Sequence, residues 1–163
     1  VLNQVWELMG LDFLIVDWLG NKNFALLSIV LVNSWQYFGM TTLLFFAGFE
    51  AIPNELIEAA DIDGANIFQK IKSIFVPLLA PTITIITVLT IVGSFKLFDL
   101  PYVMTKSGPA GATDVIMTLI VREGIRNRQY GYGNAASTLL FMFLIIITAL
   151  LLKFLRSREE KNA

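Results

Sequence analysis

The sequence predicts an all-α membrane protein: three transmembrane helices, with a helix-turn-helix loop between the first two. Three observations carry this. Hydrophobic residues make up 56% of the 163 positions and charged residues only 15%. With a mean hydropathy of +0.70, these values lie outside the usual range of a soluble domain. Three long intervals contain no charged residue, namely Asn23 to Phe49, Ser73 to Phe95 and Gln129 to Leu152. Each is long enough to cross roughly 30 Å of hydrocarbon as a helix of about 20 residues. Finally, TITIITVLTIV and LLFMFLIIITALLL are apolar around the whole circumference, whereas a core helix of a soluble protein shows a single apolar stripe.

In chain order, residues 1–23 form an external or interfacial segment. VWELMGLDFLIVDWLG mixes acids with leucines and tryptophans over too short a span to cross, and Trp6 and Trp18 suit the headgroup level. The start at Val1, with no methionine, basic region or small-residue cleavage site, reads as a piece of something longer rather than a signal peptide. Residues 24–49 are the first crossing. Residues 50–76 connect it to the second, residues 77–100. An external loop and helix follow over 101–133, then a third crossing over 134–153 and a tail over 154–163. All belong to one domain, and no internal repeat or low-complexity stretch interrupts them.

The 50–76 connection is unusually rich in charge for a membrane chain. Pro53 fits a first helical turn, and Glu55 and Glu58 sit near the positive end of the helix dipole. Asp63 and Gly64 read as the stop, with Gly64 free to take a positive φ. ANIFQKIKSIF then spaces Ile67, Phe68, Ile71, Ile74 and Phe75 as a second, amphipathic helix with Lys70 and Lys72 toward water. Small residues Ala59, Ala60 and Ala65 around the corner allow close approach of another surface. Ordinary connections have a median of about 4 to 6 residues, and longer ordered ones tend to be functional.

Polar residues within the spans are the second informative set. Asn33, Gln36, Tyr37 and Met40 fall at i, i+3, i+4 and i+7 on one helical face, and an amide facing lipid is costly. Thr90, Gly93, Ser94 and Leu97 share a side of the next span, where small and hydroxyl residues also serve helix packing. Lys96 and Asp99 have the spacing of a local ion pair. Thr113 and Asp114 are candidate caps of the external helix.

Composition also removes several function classes. A net charge of −1 gives no basic field for nucleic acid, and the absence of cysteine and histidine removes disulfides, thiol chemistry and the usual zinc ligands. There is no phosphate-binding GxxxxGK[ST] loop and no carboxylate deep in a span for a proton relay. No catalytic residue, metal site or cofactor is expected. A secondary-transporter fragment would need such a buried carboxylate, and a noncatalytic membrane scaffold would leave the polar face of the first span unexplained.

Glu58-Ala59-Ala60, followed by Asp63-Gly64-Ala65, Phe68, Ile71, Pro77 and Pro81, resembles the EAA loop of binding-protein-dependent ABC import permeases. The longer pattern IPNELIEAADIDGA with FQKIKSIFVPLLAP is similar to the sugar class, of maltose and glycerol phosphate type. Trp35, SFKLFDLPYVMTKSGP and YGYGNAAST agree, so the likeness covers nearly the whole chain. The family's TGGGP-like external element reads here Thr105-Lys106-Ser107-Gly108-Pro109, with two positions substituted. Such permeases usually have six or more crossings, so the chain looks like the C-terminal half.

The resemblance implies a permease subunit in the cell (inner) membrane. Its 50–76 loop would be a cytoplasmic coupling element, formed by Glu58, Ala59, Ala60, Asp63, Gly64, Ala65, Phe68 and Ile71, docking on an ATP-binding cassette ATPase subunit. For Phe68 and Ile71, packing on the permease's own helices stands as the alternative. Comparison with maltose-type permeases marks Asn33, Gln36, Tyr37, Met40, Thr90, Gly93, Ser94 and Leu97 as substrate-pathway positions. The other implied partners are a second permease subunit, an external solute-binding protein, a sugar substrate and the bilayer. Lys and Arg nearly balance across the two sides; the basic tail LKFLRSREEKNA is the best cue for a cytoplasmic C-terminus, which places the 50–76 loop on the same face.

Overall fold

The computed structural model describes residues 2–12 and 15–162, with side chains described over residues 3–12 and 15–155; Val1, Ala163, two residues of the expected interfacial segment and the tail's basic side chains lie outside. The described residues are helical and contain no strand. The order is α1 (Leu2–Leu8), α2 (Lys22–Glu50), α3 (Asn54–Ile62), α4 (Ile67–Leu78), α5 (Ala80–Phe95), α6 (Asp99–Thr105), α7 (Ile116–Val121) and α8 (Tyr130–Asn162).

Two of these helices, α2 and the Tyr130–Leu155 part of α8, are long and apolar enough to cross a membrane, and a third span is present if α4 and α5 count as one. Few of their residues are buried by the chain itself. Trp35, Phe38, Leu43, Leu139 and Phe141 all stand exposed, as expected of helices whose apolar surface faces lipid or neighbouring helices.

The second span is broken rather than straight. α4 meets α5 at a bend of 65°, and the causes are in the sequence. Pro81 has no N–H for the carbonyl of Pro77, and Pro77 has none for that of Ser73, so two rungs of the helical ladder are missing. The chain keeps Leu79 N–H on Phe75 O at 2.8 Å and Ile83 N–H on Leu79 O at 2.9 Å. Upstream, Ile71–Phe75 widens into a π-helical turn, an irregularity often found at functional positions.

The chain divides into two compact units, Val1–Gln36 with Phe95–Asn134, and Tyr37–Ser94 with Ala135–Ala163. In the first, Ala25 and Ile29 are fully buried. Trp18 packs edge-on to Phe24 and donates to Asn3 Oδ1 at 2.8 Å, and the Ser28 hydroxyl donates to Trp18 O at 2.9 Å. The start of α8 passes so close to the π-helical turn Arg122–Arg126 that a Cβ on Gly133 would stand 2.7 Å from Gly124 Cα. In the second unit, Ile52 and Leu79 are buried and Phe49 meets Phe75 edge-on at 5.7 Å. A Cβ on Gly48 would stand 2.6 Å from Thr82 Oγ1, so this small residue lets α2 approach α5 closely.

Candidate functional site

The loop between α2 and α5 is a closed corner built from local hydrogen bonds. α3 ends at Asp63, and Gly64 follows at φ +72°. Gly64 N–H donates to Asp61 O at 3.1 Å and Ala65 N–H to Ala60 O at 2.9 Å, the paired bonds of a Schellman stop. α4 starts one residue later with a reciprocal cap. Gln69 N–H donates to Asn66 Oδ1 at 3.0 Å, and Asn66 N–H donates to Gln69 Oε1 at 2.8 Å. Lys70 bridges to Asp61 across the corner, tying the second helix to the end of the first. Its side chain is thus largely covered rather than turned freely to water, whereas Lys72 is exposed.

Beside its exposed acids, this corner presents large apolar side chains outward. Ile62 is 86% exposed and Phe68 79%, with Ile67, Leu56 and Ile71 also exposed. Glu58, Ala59, Asp63 and Gly64 are exposed, and Ala60 and Ala65 are half-buried. Phe68 and Ile71 therefore do not pack away within their own unit. The corner thus combines a capped backbone with apolar side chains that nothing in their own unit covers. The Asn66–Gln69 box carries a sequence signal, N-x-x-Q within an amphipathic run, that composition and hydrophobic spacing do not register.

The pathway candidates fall in both units and are described within each. In the first, Asn33 is half-buried with an Oδ1 that has no hydrogen-bond partner, Gln36 is exposed and Leu97 half-buried. In the second, Tyr37, Met40, Thr90, Gly93 and Ser94 are exposed. Ser94 Oγ donates to Thr90 O at 2.8 Å, one turn back along α5. A Cβ at Gly93 would meet nothing within 4 Å. Within this chain Gly93 is thus not a close-packing contact of the kind Gly48 makes.

Beyond α5, Lys96 and Asp99 are both exposed and form no ion pair with each other. This corrects the expected local pair: α5 ends at Phe95 and Asp99 opens α6, so a helical i, i+3 geometry does not join them. The loop after α6 is held by hydroxyls. Thr113 is fully buried; its Oγ1 donates to Gly108 O at 2.8 Å and lies 2.6 Å from Thr105 Oγ1. It is therefore an internal tie of the loop rather than a helix cap. The N-terminus of α7 is served instead by Thr118, whose Oγ1 accepts from Val115 N–H at 2.9 Å. Lys106 and Ser107, the two substituted positions of the expected turn element, have φ +50° and +70°, backbone that glycine enters at less cost.

Asp114 faces Arg122, whose Nη1 lies 2.7 Å and 3.0 Å from the two carboxylate oxygens. Burial pushes the Asp114 carboxyl up, but the hydrogen bonds from Arg122, Ser107 and Thr118 together outweigh it and hold the group below its usual value. Arg126 lies over the Tyr102 ring at 5.2 Å and donates to its hydroxyl, and Tyr102 stacks on Phe98 at 4.9 Å. Among the described residues no cluster of acids fit to hold a metal occurs.

The model of the family described as binding-protein-dependent transport system inner membrane component matches residues 5–161. The trehalose/maltose transport system permease protein MalF of Thermococcus litoralis is 39% identical over 155 residues, covering 95% of this chain and 52% of that protein. The probable ABC transporter permease protein YurN of Bacillus subtilis is 32% identical over 161 residues, covering 99% and 55%. A bacterial alginate ABC transporter, solved in complex with an alginate pentasaccharide-bound periplasmic protein, superimposes with a TM-score of 0.81 at 25% identity over 93% of this chain and 52% of that one. The chain spans about half the length of these relatives.

Proposed function

Since the chain belongs to the family of binding-protein-dependent transport system inner membrane components, we propose that it forms the C-terminal half of a sugar-importer permease subunit that converts ATP hydrolysis in a partner into alternating access. The observation that carries this is the capped corner at Gly64. A loop whose only task was to connect two spans would not leave Phe68 79% exposed and Ile62 86% exposed beside a fully hydrogen-bonded turn. The apolar side chains serve as anchors in a groove of the ATP-binding cassette subunit, and Glu58 offers a carboxylate for a bidentate arginine there. In this reading the corner and the C-terminal tail are cytoplasmic, and residues 101–133 face the solute-binding protein.

The substrate is a sugar or oligosaccharide, by likeness to a trehalose/maltose permease. Asn33 supports the pathway assignment, because a buried amide oxygen without a partner awaits a hydroxyl donor. Gln36, Tyr37, Met40, Thr90, Gly93, Ser94 and Leu97 are proposed as further pathway positions, and a second permease subunit as the partner that completes the pore. The test is reconstitution of the full-length permease with its ATPase subunit, second permease subunit and binding protein in proteoliposomes. Sugar uptake that requires ATP and the binding protein supports the proposal. Uptake driven by an ion gradient without ATP overturns it.

A further inference from the structure

Between α6 and the helix that runs from α7 into the Arg122–Arg126 turn lies a hollow open to solvent, about 290 Å³ including its mouth, lined by Tyr102, Lys106, Ser107, Thr118, Arg122 and Arg126. Its charges do not cancel. Arg122 is occupied by Asp114 and by Glu123, while among the described residues Lys106 and Arg126 have no carboxylate partner. Three cations thus face two carboxylates across this wall. Arg126 is also held in place, since its guanidinium rests on Tyr102, which rests on Phe98, so less rotamer freedom remains to be lost on binding. Lys106 is carried at φ +50° on the turn that rims the hollow.

We infer that this hollow receives one acidic side chain of the solute-binding protein, its carboxylate seated between Lys106 and Arg126. The inference rests on the importer reading above. The hollow is small, carries one surplus positive charge and presents the Tyr102 hydroxyl as a donor, Ser107 and Thr118 being already engaged with Asp114, which suits a single carboxylate. Of its lining only Val121 is aliphatic, so no apolar wall is present for the acyl chains that a lipid phosphate would bring with it. Arg126, held over Tyr102, and Lys106 on the rim together steer and register the binding protein over residues 101–133.

The experiment titrates the system's own solute-binding protein against the full-length permease complex in nanodiscs and reads stimulated ATP turnover. Lys106→Asn removes the charge but keeps a residue that accepts left-handed backbone, so the turn survives. It and Arg126→Gln raise the half-maximal concentration about tenfold at low salt, a difference that shrinks at high salt. Lys106→Asp raises it further, and Lys106→Arg restores it. If the wild-type complex responds to the binding protein and all four variants match it at low salt, the hollow is not the contact and this inference alone falls. If the variants instead lose phosphatidylglycerol in native mass spectrometry while their half-maximal concentration is unchanged, a lipid headgroup occupies the site and the inference is overturned. A wild-type complex indifferent to the binding protein overturns both the inference and the importer reading.

Discussion

Replacing Gly64 by valine separates a backbone effect from a packing effect with unusual clarity. A Cβ at this position would meet nothing within 4 Å, yet the residue sits at φ +72°. The whole cost is therefore conformational. Left-handed backbone costs an L residue about 1–2 kcal/mol, and a β-branched one up to ~3 kcal/mol. Two hydrogen bonds that close the corner, Gly64 N–H to Asp61 O and Ala65 N–H to Ala60 O, exist only while that conformation holds. If the strain is relieved by opening the corner, 1.4 kcal/mol lowers the competent fraction about tenfold relative to the open form, and apparent affinity for the ATPase subunit falls in proportion once the open form dominates. Gly64→Val is expected to reach the membrane normally but to lose retention of the ATPase subunit in a detergent pull-down and to uncouple ATP turnover from sugar uptake. Gly64→Asn, which tolerates this backbone better, should fall between valine and wild type. Equal retention and coupling in all three proteins would refute the reasoning, because the corner would then be a connector whose geometry nothing reads.

Asn33→Leu and Gln36→Leu are each expected to change sugar-dependent uptake by the full-length protein while leaving assembly, judged by size-exclusion profile, intact; wild-type transport of every tested sugar would remove both from the pathway. Gly133→Ala places a methyl 2.7 Å from Gly124 Cα, and backbone cannot yield as a side chain can. The variant should lose roughly 1–3 kcal/mol of stability, seen as a lower melting temperature in detergent, whereas Gly131→Ala, with nothing within 4 Å of its Cβ, should be neutral or slightly stabilising. Ala110 stands at φ +50°, so Ala110→Gly should raise the melting temperature by relieving about 1 kcal/mol of strain. Because the Asp114 carboxyl is held below the usual 3.8, its contribution to loop stability is fully present above that pH and is lost as pH falls through its lowered value. Asp114→Asn should remove that acid-dependent step, measurable as hydrogen-exchange protection of residues 105–122 against pH.

The elements that sequence revealed most fully are those whose causes are local. Charge-free runs mark α2 and α8, and the Asp63-Gly64 stop is written in adjacent residues. What sequence left open depends on partners brought together by turns. Lys70 read as a water-facing residue of an amphipathic helix because the nine-residue reach back to Asp61 exists only once the corner is closed. Thr113 read as a cap because its burial against Gly108 O and Thr105 follows from a loop path that no periodicity encodes. Lys96 and Asp99 have a pair's spacing only on a continuous helix, and α5 has already ended at Phe95. In sequence, residues 77–100 read as one straight crossing; the 65° break shows the weight of the two N–H groups that Pro77 and Pro81 lack. The hollow beside Arg126 leaves no mark in sequence, because Lys106 and Arg126 lie twenty residues apart and meet only through the fold.

The same bend alters how a force applied at the corner would travel. α4 begins at the Asn66 cap and runs through the π-helical turn to Leu78, so its apolar tip and the break near Leu79 are the two ends of one arm about 18 Å long. Such an arm acts as a crank. A rotation of about 10° about the break would sweep its tip by about 3 Å, given that arm length, without requiring α5 to tilt as a whole. The π-helical turn at Ile71–Phe75 lies along the arm and already carries one wider rung. Movement of the tip can therefore be taken up as twist at that turn or delivered to α5 through Leu79. The division between the two sets how much of any displacement of the tip is spent inside the arm and how much is left to reach α5.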